Sequence, residues 1–441
     1  MNKADQHLPQ NWRLRSLGSL GKVLSGATPS TQVPDFWNGD IAWITPADLN
    51  RQETPYINST ARSISEKGLN SCAATLIPKW NIVISSRAPI GYIAVPTIDF
   101  TTNQGCKSLW LGDDQHYLFH YYNLCFHVRQ LKEKGEGTTF SEISKAALEM
   151  ISLPVPDLES AQVVIGQILG SADRTIECLR ALVSKHKRIK RGVVRNLLTF
   201  GIDNSGRIRT ESTHTFKNSL LGRISEDWRL IRTKDACSLI TKGTTPKKRA
   251  VENAEHTIPF LRVQNLTFDG RIDFRNDLEF ISRETHRHEL ARSVVRYRDV
   301  LMNIVGPPLG KVGIVPNDYP EWNVNQAIAL FRPTQDLCSD FLFYWLQSPQ
   351  ARTWFEINSK KTSGQQNLTL QHCQDLPLLL PSFEEQQRIV SSIRTVEAAL
   401  DIERQYLGTL LSQKAGLMQD LLTGRVSVDK PVGVETAAGQ S

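Results

Sequence analysis

The chain repeats itself. "WRLRSLGSLGKVLSGATPS", starting at Trp12, is matched by "WRLIRTKDACSLITKGTTPK", starting at Trp228. In each copy a turn follows about 15 residues after the Trp-Arg-Leu, Gly26 to Pro29 in the first and Gly243 to Pro246 in the second. "IAWITPADL" from Ile41 lies over "IPFLRVQNL" from Ile258, and "WNIVISSRAPIGYIAVP" from Trp80 over "RDVLMNIVGPPLGKVGIVP" from Arg298. "TNQGCKSLWL" from Thr102 lies over "VNQAIALFRP" from Val324, and the aromatic clusters "YLFHYYNL" and "FLFYWLQS" follow. Both copies then reach a proline-marked boundary, "LPVPDLESAQVVIGQIL" and "LLLPSFEEQQRIVSSIR". The offset drifts only from about 216 to about 225 residues. Unrelated stretches do not hold register through so many landmarks, so one structural unit must occur twice in tandem.

Each copy has two parts. The first, about 150 residues, mixes short β-rich runs such as "IVIS", "YIAV" and "AIALF" with loops and a few helical stretches, which reads as a compact α/β (α+β) unit. The second, about 40 residues, changes period. Ile389, Ile393, Val396, Leu400, Leu407, Leu410, Leu417 and Leu421 fall mainly three, four or seven apart, with Glu403 and Lys414 among them. Ile165, Leu169, Ala172, Ile176, Leu179, Val183 and Val193 do the same in the first copy. This is a coiled-coil-like stripe on a helix of about 60 Å. A stripe of this kind must be buried. The simplest partner is the other copy, giving an antiparallel coiled coil with one globular unit at each end; the alternative is that each helix folds back on its own unit. The expected organisation is a first globular domain at 1–155, a first long helix at 156–200, a polar linker at 201–225, a second domain at 226–380, a second long helix at 381–425 and a disordered tail at 426–441.

Composition narrows the function. The 441 residues suffice for two or more domains, and 40% hydrophobic with 22% charged content fits a soluble globular protein. No apolar run approaches the roughly 20 residues of a membrane helix, and the polar start "MNKADQHLPQ" is not a signal peptide, so a cytoplasmic location is expected. The seven cysteines form no Cys-x-x-Cys pair and have no histidine at zinc-ligand spacing, so no metal site is expected. "NIVGPPLGKVGIVP", Asn303 to Pro316, is not a phosphate loop: only three residues separate Gly306 from Gly310, and Val312 follows Lys311 where a hydroxyl is required. It reads as strand, Pro-Gly turn and strand, with Gly91 and Gly310 supplying the turns. No glycine-rich cofactor loop, clustered carboxylates or adenine-methyltransferase Asn-Pro-Pro-aromatic motif is present, so no catalytic residue is expected. The net charge of +7 hints only weakly at nucleic acid.

The order and duplication of "SGATP" and "KGTTP", "WNGDIAWITPADL", "APIGYIAV" and "PPLGKVGIV", the two Asn-Gln pairs and "LPSFEEQQRIV" resemble the specificity (S) subunit of type I restriction–modification systems, over roughly residues 10 to 425. The resemblance implies two target-recognition domains, each reading one half of a split double-stranded DNA sequence. It also implies helical regions that hold the domains apart and help recruit two adenine-methylating (M) subunits, with two restriction (R) subunits where the system has them. The S subunit carries no cofactor; S-adenosylmethionine belongs to the methyltransferase, and ATP and magnesium to the restriction subunit. One departure is visible: Ala161 stands in the first copy where Glu385 begins the family's Glu-Gln start to the helix. The rival reading is a non-reading protein scaffold in a defence complex.

The candidate DNA-contacting residues lie on polar loops. Thr28 lies in the first turn; Thr244, Thr245, Lys247, Lys248 and Arg249 lie in or beside the second, where they suit phosphate contact or form no more than a solvated charge run. Arg262, Gln264 and Asn265 carry base-reading chemistry, and strand alternation would put Arg262 and Gln264 on one open face; the first copy offers Thr45 and Asp48. Thr138, Thr139, Gln365, Gln366 and Asn367 belong to two further loops. Asn103-Gln104 and Asn325-Gln326 recur in both copies and so suit structure or backbone phosphate better than base reading. Lys185, Lys187, Arg188, Lys190, Arg191 and Arg195 suit the end of the first helix, spacer phosphates or an acidic partner. The expected helix-spacer core is Ile165, Leu169, Ile176, Leu179, Val183, Ile393, Leu400, Leu407, Leu410 and Leu417.

Overall fold

The computed structural model describes residues 8–51, 54–135, 142–246, 256–273, 278–306, 308–362 and 365–428. It forms two units, one of residues Met1–Val183 with Glu403–Ser441 and one of Ser184–Ile402.

In the first unit a five-stranded sheet runs in the order Gly21–Ser25, Cys106–Leu111, Ile82–Ser85, Ile93–Pro96, Tyr56–Ile57, antiparallel except for the last pair. The second unit has the matching order Cys237–Lys242, Ile328–Pro333, Val300–Asn303, Val312–Ile314, all antiparallel. "IVIS" and "VLMN" are buried at every residue because each is an interior strand with a neighbour on both edges. The turns that follow them place Gly91 at φ +92° and Gly310 at φ +91°, the left-handed conformation only glycine adopts freely. A second small sheet recurs as well. Trp37–Ile44 pairs in parallel with Phe100–Thr102, as His256–Leu261 does with Glu321–Val324. Trp12–Ser16 pairs antiparallel with Ser152–Pro156, and Arg229–Arg232 with Pro377–Leu380, so in each unit the strand at the Trp-Arg-Leu repeat clamps the strand that leads into a long helix.

The long helices are Glu159–Thr199, of 41 residues, and Phe383–Leu422, of 40. The first unit's core joins Leu118, Phe119 and Tyr122 to Ile165 and Leu169 from the start of the first helix and to Leu421 and Leu422 from the end of the second. The second unit's core mirrors this: Phe341, Leu342 and Trp345 meet Ile389, Val390 and Ile393 from the start of the second helix and Leu197 and Leu198 from the end of the first. In each unit, therefore, the beginning of one long helix meets the end of the other, the antiparallel arrangement.

Along the stripe Ile165, Leu169, Ile176, Val183, Ile393 and Leu400 are buried, and Leu179, Leu407 and Leu410 are half-buried. Leu417 departs from expectation: it is 37% exposed, and Met418 packs on the first unit's core instead. A helix of 3.6 residues per turn drifts about 20° per heptad against a strict seven-residue stripe, which is enough to rotate the next residue inward.

The stretch 201–225 is more than a linker. Phe216–Ser219 and Gly222–Ser225 form an antiparallel hairpin, and Ile202 and Ile224 enter the second unit's core. Glu385 fastens it: its buried carboxylate accepts from Arg209, from the indole of Trp228 at 3.2 Å and from the Ile202 amide at 3.1 Å. The glutamate that the first copy replaces with Ala161 thus fastens the segment that follows the first long helix. Tail residues 429–441 lie outside the described residues.

Candidate nucleic-acid interface

Two repeated features form one structural joint. A Cβ on Gly26 would lie 2.1 Å from the Asn103 carbonyl oxygen, and one on Gly243 would lie 2.0 Å from that of Val324. The glycines therefore let each Gly-x-Thr-Pro turn press against the Asn-Gln turn. The Asn103 side chain accepts from the Gly105 amide at 3.0 Å and that of Asn325 from the Ala327 amide at 3.2 Å. The Thr28 hydroxyl bonds Gln104, and the Thr245 hydroxyl bonds Gln326. Thr244 accepts from Arg292 at 3.1 Å. The Asn-Gln pairs thus brace the loops, and Thr28, Thr244 and Thr245 are tied to them.

The next repeated feature is a capped turn. In the first unit Asp48, buried, accepts from the Thr45 amide at 2.9 Å, the Thr45 hydroxyl at 2.6 Å and the Ala61 amide at 3.0 Å. In the second, Asn265, also buried, accepts from the Arg262 amide at 2.8 Å and donates to the Asp273 carbonyl at 3.0 Å. These polar groups satisfy backbone and are not displayed to a ligand. The expected strand alternation also fails here: the strand ends at Leu261, and Val263–Asn265 is a tight helical turn. Arg262 bonds Glu279, while Gln264 is exposed.

What each unit displays beside this turn differs. In the first, Arg62 follows Ala61 and lies 3.6 Å from the Trp37 ring centroid and 5.4 Å from that of Trp43. In the second, Lys311 donates to the Val263 carbonyl at 3.4 Å and stands 5.4 Å from the ring of Phe268, which is exposed. Sequence reasoning passed over both pairs. Nothing local in the sequence links Lys311 to Phe268.

Gln366 and Asn367 are half-buried on a strand, Gln365–Asn367, that pairs with Lys360–Thr362 and Val305–Gly306. The Gln365 backbone belongs to that strand, while its side chain lies outside the described residues, as do Thr138, Thr139, Lys247, Lys248 and Arg249. On the first long helix Lys185, Lys187, Arg188, Arg191 and Arg195 are exposed, whereas Lys190 is ion-paired to Glu397 at 2.8 Å. Also missed were Gln162 and Gln386, both buried, whose side-chain carbonyls accept from the His116 amide at 2.9 Å and the Cys338 amide at 2.8 Å. Each joins the start of a long helix to the start of its unit's aromatic helix. Among the described residues there is no histidine, cysteine or carboxylate cluster fit for a metal, and no helix is long and apolar enough to cross a membrane.

Comparison with known proteins agrees with this duplicated plan. The profile of the type I restriction modification DNA specificity domain matches twice, at residues 9–185 and 225–411. The MjaIX specificity subunit of Methanocaldococcus jannaschii is 31% identical over 277 residues, 62% of this chain and 62% of that one. The MjaVIII specificity subunit of the same organism is 23% identical over 428 residues, 96% of this chain and 94% of that one. A chain solved in work on complex assembly and conformational transition of the type I R-M system shares the fold, with TM-score 0.61 at 16% identity over 95% of this chain and 99% of that one. So does the type I S subunit from M. genitalium, with TM-score 0.53 at 16% identity over 96% of this chain and 98% of that one. With both copies matched across most of its length, the chain belongs to the type I restriction modification DNA specificity family.

Proposed function

We propose that this chain is the DNA-reading subunit of a cytoplasmic type I restriction–modification complex. Each unit reads one half of a gapped duplex target, and the long helices set the gap. The chain contributes no chemistry of its own. It recruits two adenine-N6 methyltransferase subunits, which bring S-adenosylmethionine, and two restriction subunits, with ATP and magnesium, where the system has them.

One observation carries the reading. The two units share their bracing, with glycine against the Asn-Gln turn and a side-chain-capped turn beside it, yet display different groups there: Arg62 over tryptophans in one and Lys311 over Phe268 in the other. A common scaffold with unlike groups beside the capped turn suits two half-sites of different sequence. Cations stacked on aromatic faces suit phosphates and base edges. Gln264, Gln366 and Asn367, with Thr138, Thr139, Gln365, Lys247, Lys248 and Arg249, are the remaining proposed contacts.

The test is to express the chain with the adenine methyltransferase encoded beside it, in a host without background methylation, and to map N6-methyladenine by long-read sequencing. The expected result is one split motif with a constant gap. Methylation at a continuous motif would mean that the partner reads DNA and this chain is a scaffold.

A further inference from the structure

The seam of the first long helix runs Ile165, Leu169, Ala172, Ile176, Leu179, Val183, His186, Lys190, Val193, Leu197, with steps alternating four and three. The second runs Ile389, Ile393, Val396, Leu400, Glu403, Leu407, Leu410, Lys414, Leu417, Leu421, in the same steps. One position is charged in both, occupied by Lys190 and Lys414. In the first unit Lys414 meets Asp173 at 2.5 Å, Asp173 also accepts from the Tyr122 hydroxyl at 2.7 Å, and the lysine stands 5.3 Å from the Tyr122 ring. In the second, Lys190 meets Glu397 at 2.8 Å, and Glu397 accepts from the Tyr344 hydroxyl at 2.6 Å. Each clasp joins a carboxylate on one long helix, a lysine on the other and a tyrosine from that unit's aromatic helix. Burial is substantial: the first pair is 23% and 16% exposed, the second 31% and 31%.

An apolar seam is nearly indifferent to a slip of one heptad, because leucine meets leucine again. A lysine at a single seam position is not, and specifies register at some cost in stability. The flanking sequence sharpens this. A slip of seven residues one way would bring Lys414 opposite Arg180 and Lys190 opposite Arg404; the other way, opposite Gly166 and Val390. Both clasps fail together in either direction, the first time against like charge.

We propose that the two clasps, Lys414–Asp173–Tyr122 and Lys190–Glu397–Tyr344, are positioning elements that fix the helix register and thereby the number of unread base pairs between the half-sites. This rests on the bipartite reading above. One heptad is about 10 Å of helix, or about three base pairs of DNA.

The experiment compares the parental chain with Lys190→Leu/Lys414→Leu, each co-expressed with the methyltransferase and mapped for N6-methyladenine. The parental chain tests the bipartite reading by itself: without a split motif that reading fails, and the clasps set no gap. Given a split motif, the leucine variant is expected to methylate additional sites whose gap differs by about three base pairs. The parental gap alone, at parental efficiency, would overturn the proposal and show that packing of Leu421, Leu422 and their counterparts suffices. If the leucine variant methylates nothing, the charge-exchanged chain Asp173→Lys/Lys414→Asp/Glu397→Lys/Lys190→Glu decides. Recovery of the parental gap supports the clasps, and silence overturns them.

Discussion

His120 shows how one side chain ties the first unit to pH. It is completely buried on the aromatic helix, with Nε2 2.8 Å from the Gln115 side-chain oxygen. Burial disfavours the imidazolium, and with Arg15 nearby the pKa is pushed down to about 3. The folded chain therefore resists a proton that the unfolded chain takes up near pH 6.5. Stability from this group is full above that pH and is lost as pH falls towards 3. Between pH 7.5 and pH 5 the parental protein should lose about 2 kcal/mol more than His120→Gln, measured as denaturant unfolding of the first unit. Equal losses would show that His120 is not held neutral. Residue scale is also where sequence reading went furthest astray. Asp48 and Asn265 carry groups suited to base edges, but the same groups cap turns, and burial decides between the two uses. Composition alone does not report that burial.

At the scale of elements the sequence was far more legible. The turns at Gly91 and Gly310, the interior strands and both long helices could be read because duplication supplies two independent views of each. The Gly-x-Thr-Pro and Asn-Gln motifs were legible as repeats but not as one joint, since nothing local shows that residues 77 apart touch (Gly26 and Asn103). The joint predicts its own weakness. Gly26→Ala should destabilise the first unit, and Gly243→Ala the second, each by about 1–3 kcal/mol, because the new methyl meets backbone that cannot move aside. Unfolding followed separately for each unit would show it; unchanged stability in both would mean that the turns stand off from one another. The long helices teach a related lesson. A fixed heptad places Leu417 in the stripe, but it lies four heptads along from Ile389, where accumulated drift has turned it outward.

For the whole molecule, modularity is the testable property. Replacing residues 226–375 with the corresponding stretch of another family member should change one half-site of the methylated motif and leave the other intact. A change in both half-sites would show that the units do not read independently. The basis is visible in the cores: each unit has its own sheets, aromatic helix and buried glutamine, so an exchange within those bounds preserves the long helices, the first clasp and the Lys190–Glu397 pair of the second, and replaces only Tyr344 of that clasp.

The two cores also differ in when they can be completed. Residues 184–402 are continuous, so the second unit has all its parts as soon as that stretch has left the ribosome. The first unit must wait for Leu421 and Leu422, at the far end of the chain. At roughly 5–20 residues per second, the roughly 240 residues between Val183 and those leucines take about 12 to 48 seconds to synthesise. Throughout that interval the earlier-made of the two units is the one still unfinished, its apolar seam open to chaperones or to a neighbouring nascent chain. Birth order and folding order are inverted between the two units: the one translated earlier is the one that closes later.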